Sequence, residues 1–344
     1  MNNKAAWLTG IQNIEIGPAE MPVPDDGELL IKVSYCGICG SDMHFFETGC
    51  YSKGPISFPH ILGHECAGQV IALGKKTTGF AVGDRVAVEP GVACGMCPEC
   101  KSGHYNLCKS VQFKSVPPYH GVLRTYITHN YKRCFKLPDH VTDLEGAMVE
   151  PFSIGLHAAK RAGVKQGDTV AILGAGCIGM MTLLACRSLG AETAVVADLA
   201  DFRLEKAARM GAAHVVNSRQ EDAAARISEL TGGHGADVVF ETAGSPVTLA
   251  MTPRICKSAG VIMMVGNIFK PVTLDVWAIA HREIDLRGIY RYCDDYPTAI
   301  SLIADGKVDF TEMITNIYDF NDVQHAFMAS ILDKEHTLKG VIKL

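Results

Sequence analysis

Short apolar runs punctuated by Gly and Pro fill the first part of the chain, and near residue 168 they give way to a regular alternation of apolar strands and helical segments. Up to about residue 150 the runs are brief and rich in Val and Ile, as in Leu29 to Val33 and Val86 to Val88, which predicts a β-rich domain with long loops. From Asp168 the order is TVAILG, a helix through Leu189, TAVVAD, a helix over Arg203 to Met210, HVVN, another helix, DVVFETAG, a helix near Val247 to Lys257, GVIMMVG and finally DLRGIY. Strands joined by helical crossovers imply a doubly wound parallel sheet. The tail from Tyr292 returns to mixed structure and completes the first domain. The expectation is an α/β protein with one domain over 1–151 and 292–344 and the other over 152–291. No internal repeat is visible, which sets solenoids and propellers aside.

Composition narrows the partners. A chain of 344 residues suits two domains, and 48% hydrophobic with 20% charged residues suits well-buried ones. The net charge of -5 argues against a nucleic-acid partner and for a small molecule. The opening MNNKAAWLTG has no apolar leader, so a cytoplasmic location is expected. The longest apolar stretch, Val170 to Cys186, is broken by Gly174, Gly176 and Gly179 and is too short to span a membrane. It reads as a buried strand running into a helix.

That junction carries the first candidate chemistry. Gly174-Ala175-Gly176-Cys177-Ile178-Gly179 follows a strand and opens a helix, the context in which a GxGxxG run cradles a dinucleotide pyrophosphate. Asp198 ends the next strand, where a carboxylate accepts hydrogen bonds from the adenosine ribose and selects NAD. A 2′-phosphate there would be repelled by roughly 3 kcal/mol at about 5 Å and an effective dielectric of about 20. Arg203, on the following helix, either pairs with Asp198 or screens a phosphate.

Thirteen cysteines in a reduced chain point to metal or to burial. Cys94, Cys97, Cys100 and Cys108 cluster as C-x2-C-x2-C-x7-C with Gly95, Pro98 and Gly103 to turn the backbone. Four thiolates close a tetrahedral shell, so this zinc is expected to be structural. A second constellation is Cys36-Gly-Ile-Cys39-Gly-Ser41-Asp42-Met-His44, with Gly63-His64-Glu65 downstream. A catalytic zinc keeps one position for water or substrate, and Cys39 with His64 supply thiolate and imidazole. Glu65 and Glu150 both qualify as the third ligand. Cys36 forms a CxxC with Cys39, for which a packing role is preferred.

With CGICGSD, GHECAG, the four-cysteine lobe, MVEPFSIGLHA, GAGCIG and IYRYCDDYPTAI in order, the chain resembles the zinc-containing medium-chain dehydrogenases, most of all their sorbitol (L-iditol) dehydrogenase branch. The resemblance spans nearly the whole length. It implies a GroES-like catalytic domain with an inserted Rossmann domain, one catalytic and one structural zinc, NAD, a polyol substrate and a homotetramer, a dimer being the alternative. Cys39, His64 and Glu65 match the zinc ligands, and Glu150 would reach the metal directly or through water. Alcohol dehydrogenases of the superfamily have a cysteine where this chain has Glu150. Ser41 and His44 match the proton-relay positions, the alternative for His44 being a partly buried structural histidine. Ile178, Asp198 and Arg203 match cofactor contacts, a set extended to Val265, Gly266, Tyr290 and Arg291. Arg291 and Tyr292 match residues on the substrate and nicotinamide side. Phe45 stands where some animal sorbitol dehydrogenases have a tyrosine, and those enzymes lack the cysteine lobe.

Overall fold

The computed structural model describes residues 2–51 and 54–344, and the chain divides into two compact units. One comprises Met1–Glu150, Tyr296–Ala304 and Ile314–Leu344; the other takes Pro151–Asp295 together with Asp305–Met313, a stretch expected from sequence to lie with the first domain.

The first unit is β-rich. Its main sheet runs in the order Cys134–Lys136, Arg85–Val88, Glu65–Leu73, Glu28–Gly37, Lys339–Lys343, Ile314–Asp319, and Tyr126–Asn130 also pairs with Glu28–Gly37. Ile31, Val33, Val70, Val86 and Ile127 from these strands meet in one core. The long strand Glu28–Gly37 is the hinge of the arrangement: near its end Gly37 lies opposite Glu65 on one neighbour and opposite Val341 on the other. This register brings the last strand of the chain against the segment that carries the metal motif.

In the second unit six parallel strands lie in the order His214–Asn217, Thr193–Asp198, Thr169–Leu173, Ala236–Glu241, Cys256–Met264, Asp285–Gly288, so the sheet reverses direction of winding between the third and fourth. Numbered along the chain this is 3-2-1-4-5-6, the Rossmann order. Val170, Ala171, Ile172, Val195 and Val196 are buried on both faces, which explains why these strands read as continuous apolar runs rather than as alternation. Among the described residues no helix is long and apolar enough to cross a membrane.

Candidate active site

Cys39 is the N-cap residue of the helix Gly40–Thr48, so its sulfur sits at the positive end of that helix. Gly63, at φ 90°, turns the chain into the strand Glu65–Leu73, and a β-carbon there would meet Cys36 Sγ and Leu123 Cγ at 2.8 Å. The turn delivers His64 and Glu65 to Cys39, and one donor atom from each of the three lies within 4.8 Å of the others. His64 and Glu65 are buried. A thiolate, an imidazole and a carboxylate make a donor set suited to zinc.

Residues around this cluster fix it. Asp42, fully buried, faces His64 Nδ1 with Oδ2 at 3.1 Å, so that Nε2 is the ring nitrogen free to serve as a donor. Its other oxygen accepts from Gly63 N at 3.1 Å and from the Ser115 hydroxyl. Burial pushes the Asp42 carboxyl up, but His64, Ser115 and Gly63 outweigh it and hold it below the usual carboxylate range. Burial likewise disfavours a charged His64, yet Asp42 and Cys39 hold its pKa well above the ordinary imidazole value. The Phe113 ring packs 5.5 Å from the His64 ring and forms an apolar wall. Glu65 pairs with Lys339, itself buried, whose Nζ also donates to Ile38 O at 3.0 Å. This pair passes over Gly37: a β-carbon there would stand 2.0 Å from Glu65 Oε2 and 3.0 Å from Lys339 Cε.

The cysteine lobe forms a second cluster. The sulfurs of Cys94, Cys97, Cys100 and Cys108 all lie within 4.8 Å of one another, with Cys94 and Cys100 at 4.0 Å and Cys97 and Cys100 at 3.3 Å. A tetrahedron of Zn–S bonds of about 2.3 Å has edges of about 3.8 Å, so the lobe is close to the size zinc requires. Backbone N–H groups of Met96 and Cys97 point at Cys94 Sγ and hold that thiol down at about 6.

In the second unit the three glycines of the GxGxxG turn do different work. Gly174 has φ 106°; Gly176 caps the helix Cys177–Ser188 with open space where a side chain would stand; at Gly179 a β-carbon would lie 1.8 Å from Gly174 O. The middle glycine therefore leaves the helix N-terminus approachable by an anion while the third lets helix and strand touch. Asp198 closes this turn, Oδ2 accepting from Ala175 N at 2.7 Å and Oδ1 from Leu199 N and Ala200 N at 2.8 and 3.0 Å. Val265 N and Gly266 N both donate to Glu241 O at 2.9 Å, at the same carboxyl end of the sheet.

Two family models match: the alcohol dehydrogenase GroES-like domain over residues 25–139 and the zinc-binding dehydrogenase domain over 177–305. The chain is 42% identical to sorbitol dehydrogenase of Bacillus subtilis, covering 99% of this chain and 97% of that protein. It belongs to the zinc-containing medium-chain dehydrogenases, in their sorbitol dehydrogenase-like branch. Among solved structures, an Escherichia coli oxidoreductase/dehydrogenase of unknown specificity superposes at a TM-score of 0.96 with 45% identity, covering 100% of this chain and 99% of that one. An alcohol dehydrogenase of Escherichia coli CFT073, solved with NADH, superposes at 0.93 with 28% identity, covering 100% and 99%. The protein is thus an alcohol dehydrogenase oxidoreductase that works with zinc and a nicotinamide dinucleotide.

The dehydrogenase places the other residues singled out from sequence as follows. Ser41 donates to Cys39 Sγ at 3.4 Å and is exposed, as is His44 one turn further along the same helix. Phe45 is buried in the core of the first unit. Glu150, buried on the helix Asp143–Ala162, is not among the clustered donors. Cys36 is buried outside the cluster as well. Ile178 lies in the first turn of the helix Cys177–Ser188, and Arg203 near the start of the helix Asp201–Arg209. The Arg291 guanidinium stacks 4.8 Å over the exposed Tyr290 ring, while Tyr292 is buried. Asp42, Ser115, Phe113, Lys339 and Gly37 escaped sequence reasoning; only Asp42 and Gly37 lie inside a recognised motif.

The loop bearing Arg291 and Tyr292 is anchored by Asp295. This fully buried carboxylate accepts from His157 Nδ1 at 2.8 Å, Lys160 Nζ at 2.7 Å and Cys293 N at 3.1 Å. Burial raises its pKa, but His157 and Lys160 more than offset that and hold it below the usual range. A carboxyl with a depressed folded pKa adds stability that is complete above its unfolded value of about 4 and is lost as pH falls through the folded value. Asp295→Asn is therefore expected to cost about 2 kcal/mol at neutral pH and to reduce the loss of stability below about pH 4. Denaturant melts across that range check it, and parallel curves for both proteins would refute it.

Proposed function

We propose that this dehydrogenase oxidises a secondary alcohol of a sorbitol- or iditol-like polyol to a ketose with NAD as the acceptor. The observation that carries this reading is the donor set, Cys39, His64 and Glu65 within 4.8 Å, whose third member is a carboxylate, in a chain 42% identical to a sorbitol dehydrogenase. In this reading those three residues ligate the catalytic zinc, Glu150 reaches it directly or through water, and the four-cysteine lobe holds a structural zinc. When bound, the catalytic zinc supplies Lewis-acid polarisation of the alcohol oxygen and NAD accepts the hydride.

The chain's own residues do the rest. Asp42 holds the His64 ring in one tautomer and orientation. Ser41 and His44, three apart on one helix, share a face and carry the hydroxyl proton outward, and exposure of His44 lets it hand the proton to solvent. Arg291 and Tyr292 occupy positions that, by the resemblance, face the substrate. Gly174, Gly176, Ile178, Gly179, Asp198, Arg203, Val265, Gly266, Tyr290 and Arg291 hold the cofactor, the carboxylate of Asp198 bonding the ribose. A cytoplasmic homotetramer belongs to the same reading.

The test is reduction of NAD by the zinc-loaded protein across a panel of polyols, sugar acids, sugar phosphates and threonine. Turnover of free polyols is expected; activity confined to threonine or to phosphorylated substrates would sink the assignment. In the same assay Asp198→Ala should lower kcat/KM for NAD by about tenfold or more, the value of a charge-assisted hydrogen bond, and should spare NADP. A wild-type preference for NADP would contradict this role for Asp198.

A further inference from the structure

Six non-glycine residues among those described have φ in the left-handed region: Gln12, Ser115, Ala259, Glu283, Arg291 and Asp294. Of these only Ser115, at φ 73°, is buried, with 1% of its surface exposed. Glycine adopts that conformation with no steric cost, whereas a side chain crowds the backbone. Strain of this kind persists where surrounding contacts over-determine it, and such positions concentrate at functional sites. Two contacts do so here. The Ser115 carbonyl faces His60 Nε2 at 3.0 Å, and the hydroxyl donates to Asp42 Oδ1. The first uses only the backbone, and glycine would keep it. The second is the one thing that serine adds.

We propose that Ser115 is a positioning residue for the reactive metal site, its hydroxyl clamping the carboxylate that orients His64. The inference rests on reading Cys39, His64 and Glu65 as zinc ligands. Asp42 has Oδ2 3.1 Å from His64 Nδ1, while Oδ1 is shared between Gly63 N and Ser115 Oγ, so swinging the carboxylate away from His64 breaks the two hydrogen bonds on Oδ1. Phe113, two residues before Ser115, packs on the same imidazole. One turn of chain thus sets both the apolar wall beside His64 and the angle at which that ring meets the metal. Outer partners of a ligating histidine, once removed, weaken metal retention by tenfold or more.

The experiment uses full-length zinc-loaded protein in excess chelator, with zinc release followed by a chromogenic indicator. The phase from the reactive site is the one missing in Cys39→Ser. Ser115→Ala keeps the backbone strain and deletes the hydroxyl; Ser115→Gly deletes both. Both variants are expected to speed the reactive-site phase about tenfold and to leave the cysteine-lobe phase alone. Ser115→Gly should do so while the metal-free protein melts no lower than wild type, a combination that loss of packing would not give. Wild-type release in both variants overturns the inference, and acceleration in Ser115→Ala alone does so too, because it places the effect in the backbone. A wild-type protein with a single zinc per chain overturns the site reading itself, and the inference with it.

Discussion

Lys339→Met is expected to destabilise the metal-free protein by about 3–5 kcal/mol, the cost of leaving one member of a buried ion pair without its partner. Lys339 and Glu65 are both almost wholly removed from solvent, and the ammonium also donates to the Ile38 carbonyl. Methionine fills similar volume, so the loss isolates charge from packing. Zinc changes the result in a diagnostic way. If Glu65 ligates zinc as proposed, the metal replaces the lost cation, and the zinc-loaded variant should recover most of its stability. The double variant Lys339→Met, Glu65→Gln should recover part of it without metal. Denaturant melts of the three proteins with and without zinc test this, and an equal loss in loaded and metal-free Lys339→Met would show that Lys339 does not balance the charge of Glu65.

Cys39→Ser is expected to lower kcat/KM by about a thousandfold or more, corresponding to several kcal/mol of metal-derived stabilisation in the transition state. Because the cysteine lobe is a separate cluster, metal content should fall from two zinc ions per chain to one. Binding of NADH, read by its fluorescence, should persist, since the GxGxxG turn lies in the other unit. Loss of cofactor binding together with turnover would instead indicate a general folding defect.

What was legible in the sequence was what local chain geometry determines. The glycine run, its strand and its helix are contiguous, and the central parallel strands are buried on both faces, so both the motif and a doubly wound parallel sheet could be inferred from apolar runs and their spacing. The cysteine lobe was legible for the same reason: its four sulfurs and the residues that turn the chain between them are neighbours. Cys39 and His64 could be paired from residue type, but choosing Glu65 over Glu150 needed a resemblance, because short motifs do not encode the cross-strand register that sets Gly37 beside Glu65. Lys339 could not be found at all. Its partner is specified by a strand pairing between distant ends of the chain, and a lysine in a Val/Ile-rich terminal strand gives no hint that it points inward. Ser115 was hidden differently: its importance lies in a backbone angle, and angles leave no trace in residue type unless the residue is glycine.

The Glu65–Lys339 pairing also bears on biosynthesis. Lys339 Nζ reaches back 301 residues to Ile38. On the ribosome, Cys39, His64 and Glu65 are made early, the whole dinucleotide-type sheet follows, and the lysine emerges only afterwards. Until Lys339 is made, the Glu65 carboxylate lacks that partner, so a nascent chain has reason either to capture metal early or to leave the segment unpacked until the strand Lys339–Lys343 docks. Synthesis of the strand Lys339–Lys343, rather than completion of the metal motif, is then the step that lets this half of the protein close without zinc.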